Sequence, residues 1–548
     1  MKGLMMNQPL LISSLLVHAD RYHGDTEIVS RRVEAAADAP LAERLHRYTY
    51  HDAHTRARQL AQALVRQGVK PTDRIATLAW NGYRHFELYY AISGMGAVMH
   101  TINPRLFPEQ ITWIINHAED RVLFFDLSFA PLVEKLAAAC PKVQAWVAMI
   151  DRAHLPAIKL PNLLCYEDLL AAEDSRYEWP QFDEQSAACL CYTSGTTGNP
   201  KGVLYSHRST LLHAYACCLP DVMNLSARDV VLPVVPMFHV NAWGTPYSCA
   251  LMGSKLVFPG AGLDGASLTE LFEAERVTFT AGVPTVWLGL LQYLQKSGKR
   301  LATVQRMVVG GSACPPALMQ AFKRDYGIQI HHAWGMTEMS PLGTYTTLKN
   351  KHLALDEAER FKVEIKAGRP LFGVDIKIVD GEGKELPRDG KAFGDLLVRG
   401  PWVVERYYGV EQSPLRDGWF PTGDVATIDP DGFIQITDRS KDVIKSGGEW
   451  ISSIELENVA MAHPAVAEAA VIGTHHPKWD ERPLLIIVRK PGQQVSAEEI
   501  LAFFEGRVAK WWTPDAVVFV DEIPHTATGK ILKTRLREDF KDYRLPAA

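Results

Sequence analysis

The sequence predicts an α/β fold: a large N-terminal domain of stacked αβ subdomains with a β-barrel-like subdomain, then a small hinged α+β C-terminal domain. Three observations lead there. At 548 residues the chain is too long for one hydrophobic core. Short strand-like runs alternate with helix-length segments through its first four-fifths, the pattern of parallel sheets covered on both faces. From Asp375 the strands become shorter and turn-separated, and a charged segment, Asp438-Arg439-Ser440-Lys441-Asp442, introduces a second α+β stretch.

Near the start, Ile12, Leu15, Leu16 and Ala19 fall on one helical face, so this apolar run reads as a helix, and a secretory cleavage site is missing. Ala57, Leu60, Ala61, Leu64 and Val65 form another helical face, with Gly68 suited to the stop. Strands are expected at 74–80, 121–127, 143–150, 230–236, 255–259, 277–281 and 307–310, then at 375–380, 395–399 and 433–437 in the barrel-like part. These make a domain of residues 1–438, with a hinge at about 438–442. In the domain of residues 439–548, strands are expected at 467–472, 484–490 and 516–520. A helix there opens with Ser496 and Glu499 as a capping box before Ile500, Leu501, Phe503 and Phe504.

Composition narrows the function. Hydrophobic residues make up 47% of the chain, enough for full cores and too many for a disordered protein. A formal net charge of −5 gives no electrostatic reason to expect nucleic acid or an anionic membrane. The eight cysteines are scattered, without CxxC pairs or zinc-like spacing, which points to reduced thiols and a cytoplasmic location. No apolar run reaches the roughly 18 residues of a membrane span.

Chemistry concentrates first at Tyr192-Thr193-Ser194-Gly195-Thr196-Thr197-Gly198-Asn199-Pro200-Lys201-Gly202, directly after the apolar run 187–191. A strand opening into glycines, hydroxyls and an ammonium suits phosphate groups, because the backbone can approach closely and donors are dense. It is not a Walker A loop: counted from Gly195, the second glycine position is Pro200, and Gly202 and Val203 follow Lys201.

This string closely resembles the phosphate loop of the AMP-forming acyl-adenylate enzymes, which include acyl-CoA synthetases, peptide-synthetase adenylation domains and luciferases. Further motifs of that family follow in its order over essentially the whole chain. Pro236-Met237-Phe238-His239-Val240-Asn241-Ala242-Trp243 follows a strand. From chemistry alone His239 reads equally well as a core histidine. The resemblance implies that it lines the meeting point of carboxylate and α-phosphate, with Val240 and Trp243 at the acyl tunnel.

Gly310-Gly311-Ser312-Ala313 offers a glycine bend with free N–H groups, and His332-Ala333-Trp334-Gly335-Met336-Thr337-Glu338 supplies an aromatic wall, a hydroxyl and a carboxylate. By resemblance Gly311, Ser312, Ala313 and residues 332–337 bind nucleotide, with Trp334 stacking on adenine and Thr337 touching phosphate. Glu338 and Thr193 would hold Mg²⁺, a cation that prefers hard oxygen ligands. Asp424 is implied to hold the ribose, and Arg439 the ribose or phosphates. Lys441 takes the hinge position, and Lys445, Gly447, Gly448 and Trp450 form the segment that approaches during thioester formation. Lys530, in Thr528-Gly529-Lys530, is implied to be the adenylation lysine.

The resemblance implies an ATP-dependent ligase joining a fatty acid to CoA through an acyl-AMP, and a homodimer. HVNAWG, SGGEWIS and INPRL look most like bacterial medium- and long-chain fatty-acyl-CoA ligases, with medium chains favoured. A short thioether acid, 3-methylthiopropionate, is the alternative substrate. A non-catalytic acyl-nucleotide binder is the alternative of another class, and it would tolerate loss of Lys201, Glu338 or Lys530, all of which are present.

Overall fold

A computed structural model describes the whole chain except residues 2, 37, 194–198, 447–448, 527–530 and 546–548, and the side chains of Glu449 and Trp450. Two large sheets dominate. The first has seven strands, in the order Leu163–Cys165, Ala145–Ala148, Val122–Phe125, Arg74–Leu78, Val98–Thr101, Ala187–Tyr192 and Gly202–Ser206, parallel until its last strand turns back. The second has nine. Its parallel centre runs through Gln329–Gly335, Arg306–Val309, Phe279–Gly282, Val230–Pro233, Lys255–Phe258 and Glu27–Arg31, with antiparallel strands at both edges.

One core joins the facing sides of these sheets through the intervening helices. It includes Ile12, Leu15, Leu16 and Ala19 of the N-terminal helix, all buried as their spacing predicts. Two further cores cover the outer faces. The helix Tyr50–Arg66 begins at a Thr49–Asp52 capping box and stops before Gly68, whose φ of +77° favours glycine.

Two expectations need correction. The strand expected over 230–236 ends at Pro233, because the buried Asn81 amide donates to the carbonyls of Pro233 and Val235 while its oxygen accepts from Met237 N. Val234 N and Val235 N both donate to Ala281 O at 3.0 Å, so the regular ladder breaks off there. The barrel-like part is a four-stranded antiparallel meander, Asp375–Val379, Phe393–Arg399, Phe420–Ile428 and Ile434–Arg439, whose end strands do not pair among the described residues. Four strands are too few to enclose an interior, so its apolar face joins the central core through Ile376, Leu396, Val398 and Phe420.

The last sheet, built from Ile444–Ser446, Glu449–Ile451, Val466–His476, Asp480–Arg489 and Ala516–Phe519, shares no strand with the others. Among the described residues its two cores draw only on residues after Val443, so the small C-terminal domain packs its own interior. The helix at Ala497–Phe503 opens with the expected Ser496–Glu499 box. Among the described residues, no helix is long and apolar enough to cross a membrane.

Candidate active site

The two ends of the phosphate-loop string lie on paired antiparallel strands. Tyr192 and Gly202 pair across them, Thr193 N donates to Lys201 O at 2.9 Å, and Lys201 N donates to Thr193 Oγ1 at 3.1 Å. Ser194, Gly195, Thr196, Thr197 and Gly198 lie outside the described residues. The exposed Lys201 ammonium stands 4.9 Å from the centre of the Tyr407 ring. Tyr407 in turn donates its hydroxyl to Glu338 Oε1 at 2.8 Å. Backbone bonds fix the same neighbourhood: Tyr408 N donates to Gly202 O at 2.8 Å, Val404 N to Glu338 O at 2.7 Å, and the Tyr205 hydroxyl to Thr337 O at 2.6 Å.

A second group of motifs meets at the C-terminal ends of two adjacent parallel strands, where ligand sites of α/β sheets form. Val309 pairs with His332, which sets Gly310-Gly311-Ser312-Ala313 beside Ala333 and Trp334. At Gly310 a Cβ would stand 2.9 Å from Ala333 O and 3.1 Å from the Trp243 ring, so only glycine lets these three motifs close up. Gly311 has φ of +83°, and Gly311, Ser312 and Ala313 are exposed.

Trp334 is buried, and its Nε1 donates to Asp424 Oδ2 at 2.8 Å. The other Asp424 oxygen takes Arg439 Nε at 2.9 Å, across a strand pair that registers the two residues opposite each other. Each carboxylate oxygen keeps a second lone pair for an incoming hydroxyl. His332 donates from Nδ1 to Ile365 O at 3.2 Å, and burial holds its pKa below the usual imidazole value. Gly335 has no room for a side chain, since a Cβ would meet Pro341 O, and Met336 N donates to that oxygen at 3.0 Å.

The third wall is a left-handed turn. Val240, Asn241, Ala242 and Trp243 have φ of 48°, 52°, 49° and 55°, a conformation that costs roughly 1–2 kcal/mol at each non-glycine residue. Neighbours hold it in place. Asn241 Oδ1 accepts from the Tyr89 hydroxyl and the Cys189 thiol, both at 3.3 Å, and Tyr89 also donates to Met237 O at 2.5 Å. Strain concentrated at such a turn, next to Gly310, marks a functional surface. His239 caps the turn, half-buried, its amide donating to Pro236 O at 3.0 Å.

The AMP-binding enzyme domain matches residues 18–408, and the AMP-binding enzyme C-terminal domain matches residues 455–530. The chain belongs to the AMP-binding enzyme family. It is therefore a member of the acyl-adenylate-forming superfamily that its motifs resemble. The 3-methylmercaptopropionyl-CoA ligase of Ruegeria lacuscaerulensis is 54% identical over 543 residues, covering 99% of each chain. The medium-chain-fatty-acid–CoA ligase of Ectopseudomonas oleovorans is 52% identical, covering 100% of this chain and 98% of the relative. Among solved structures, an anthranilate CoA ligase in complex with anthranoyl-AMP superposes with a TM-score of 0.86 at 25% identity, over 99% of each chain.

In this AMP-binding enzyme the remaining expected residues belong to the small domain and its approach. Lys441 and Lys445 are exposed, and Lys445 N donates to Glu481 Oε2 at 2.9 Å. Lys445 pairs with Trp450 across two short antiparallel strands; Gly447, Gly448, the Trp450 side chain and Lys530 lie outside the described residues. The structure thus brings Thr193, Lys201, Thr337 and Glu338 together through Tyr205, Tyr407 and Tyr408, and joins Trp243, Gly310, Trp334, Asp424 and Arg439 in a second group.

Motif reading missed Tyr407, and also Asn81, Tyr89 and Asn241 as supports of the left-handed turn. An Asn in an apolar strand-to-helix junction is a detectable sign of backbone repair. Tyr407 stands in no pattern. For a metal, one buried carboxylate and a nearby loop hydroxyl form the sparse hard-oxygen set that Mg²⁺ uses with phosphates. Among the described residues no cluster of three or more His, Cys, Asp or Glu builds a full metal cage.

Proposed function

We propose that the acid activated here is a medium-chain fatty acid. The enzyme is an AMP-forming acid–CoA ligase, with ATP and CoA as co-substrates. Two groupings support the residue assignment: Glu338 and Lys201 joined through Tyr407, and Trp334, Asp424 and Trp243 gathered around Gly310 at the strand ends.

In the first half-reaction a carboxylate oxygen of the acid attacks the α-phosphorus of ATP, and the bond to the β-phosphate oxygen breaks to release pyrophosphate. Trp334, packed on Gly343, presents its ring to adenine alongside Gly311, Ser312, Ala313 and His332–Met336. Asp424 and Arg439 take the ribose, and Thr193 to Gly198 with Lys201 and Thr337 take the phosphates. His239 borders the reacting carboxylate, while Val240 and Trp243 line the acyl chain. Lys530 places its ammonium on the charge that develops at the α-phosphate; removing such a preorganised group commonly costs ~10²–10³ in rate. Glu338 and Thr193 would hold Mg²⁺, which when bound neutralises phosphate charge.

In the second half-reaction the CoA thiol attacks the acyl carbonyl to form a carbon–sulfur bond, its proton passes to solvent, and the carbon–oxygen bond to AMP breaks, with AMP leaving as the phosphate anion. No protein nucleophile is required, since the adenylate is already activated. The site must exclude water in the first step and admit a thiol in the second. Division of the chain into residues 1–438 and 439–548, turning about 438–442 with Lys441 at the pivot, answers that conflict. One pose brings in Lys530, and the other brings in Lys445, Gly447, Gly448 and Trp450. We place the enzyme in the cytoplasm as a homodimer, which light scattering of the purified protein would check.

A second reading is favoured by the 54% identity to a 3-methylmercaptopropionyl-CoA ligase: a short thioether acid as substrate. Pyrophosphate and acyl-CoA formation, measured from acetate and 3-methylthiopropionate through octanoate to palmitate, separates the two. A maximum near octanoate supports the medium-chain reading, and a maximum at the thioether acid replaces it. Pyrophosphate without thioester would overturn the assignment of CoA as acceptor.

A further inference from the structure

The helix Lys533–Asp539 begins three residues after Lys530, and its first side chain turns inward. Lys533 is only 11% exposed; its ammonium lies 2.7 Å from Glu457 Oε1 and donates to Ser453 Oγ at 2.5 Å. Glu457 Oε1 also accepts from Val471 N at 2.8 Å, which fixes it against the edge strand Val466–His476 of the small domain's sheet. Ser453 N donates at 2.7 Å to Asp438 Oδ2, and Asp438 is 1% exposed at the start of the hinge. One turn further along the same helix, Arg537 pairs with Asp442 at 2.6 Å, at the other end of the hinge.

The described residues on either side of 527–530 are tied as well. His525 and Ile531 form an antiparallel bridge, Leu532 N donates to Pro524 O at 2.7 Å, and His525 Nε2 meets Glu468 Oε1 at 2.6 Å. By contrast, Ser440 faces the large domain: its amide donates to Gly423 O at 3.0 Å and its hydroxyl to Asp395 at 2.8 Å.

We infer that Lys533 is a positioning residue for adenylation: with Glu457, Ser453 and Asp438 it fastens the root of the Lys530 segment to the hinge and the body of the small domain. A desolvated ammonium making charge-assisted bonds to two helix side chains is a stiff connection. Rotation of the small domain is then delivered without slack to the start of the helix Lys533–Asp539, and near-attack geometry tolerates little slack. A lysine does this better here than a hydrophobic residue could, because the carboxylates of Glu457 and Asp438 are themselves buried.

This inference rests on the reading of Lys530 as the adenylation lysine, and the two can fail separately. Lys530→Ala that retains acid-dependent pyrophosphate exchange defeats the parent reading. For Lys533, exchange is compared with thioester formation from presynthesised acyl-AMP and CoA, in full-length protein. Lys533→Met is expected to slow exchange by about tenfold or more while thioester formation stays within about twofold. Lys533→Arg should restore exchange. Equal losses in both half-reactions, or no loss in exchange, overturn the proposal. If Lys533→Met does not fold, Glu457→Gln is read by the same criteria.

Discussion

Glu87 and Glu338 each sit in the protein interior and each accept a tyrosine hydroxyl, from Tyr166 at 2.6 Å and from Tyr407 at 2.8 Å. Around Glu87 the charge is closed: Arg56 Nε lies 2.8 Å away, and Arg56 and Arg84 go on to bind Glu167, with Arg84 reaching Glu34. Around Glu338, among the described residues, no ion pair forms, and Lys201 sits over the Tyr407 ring. The same acceptor chemistry therefore serves two ends. A guanidinium makes a buried carboxylate part of the scaffold, whereas a phenol alone orients it and leaves its charge without an ionic partner among the described residues.

Replacing Glu87 with Gln should produce the largest effect, a loss of about 3–5 kcal/mol in unfolding free energy, because Arg56 loses a buried partner. Chemical denaturation reads that loss, and kcat per folded molecule should not change. Glu338→Gln is the mirror image: melting temperature should hold while kcat/KM falls by ~10²–10³, the cost of removing a charge that acts in the transition state. Equal stability losses in the two variants would erase the distinction. Tyr407→Phe keeps the ring under Lys201 but removes the hydroxyl, and a hydrogen bond to a charged group is worth about 1.5–3 kcal/mol. Its expected loss, of about tenfold or more in kcat/KM without loss of fold, shows how far orientation alone matters.

The smallest effect tests a third kind of pair. His525 is partly exposed, and its bond to Glu468 raises its pKa above the usual imidazole value. Its stabilising contribution is present below the unfolded pKa, about 6.5, and is lost as pH rises through the raised folded value. Against His525→Gln, the wild-type advantage should shrink between neutral and mildly alkaline pH, within about 1 kcal/mol.

Much of this was legible in the sequence, and the limits are physical. Parallel strands such as Val122–Phe125 and Arg306–Val309 are announced by apolar runs, since both of their faces are covered, whereas Glu27–Arg31 and Gln329–Gly335, with charged or polar residues in the run, are not. Strand Leu45–Thr49, with His46 and Arg47 on an edge, is not either, because an edge strand needs no apolar run. Trp334, Asp424 and Arg439 were named from their motifs, but the bond that joins Trp334 to Asp424 spans ninety residues and has no local signature. The hidden partners, Tyr407 and Lys533, act through a single atom aimed at a distant carboxylate. Periodicity cannot encode an aim of that kind.

The nine-stranded sheet also carries a cost in time. Its strand Glu27–Arg31 hydrogen-bonds to Lys255–Phe258, with Ile28 opposite Leu256. During synthesis at about 5–20 residues per second, the first of these strands waits roughly ten to fifty seconds for its neighbour to leave the ribosome. Meanwhile Ile28 and Val29, fully buried in the finished protein, have only the edge strand Leu45–Thr49 to pair with. A chain arrested before residue 255 should therefore be captured by chaperones or aggregate, however well its first sheet has formed.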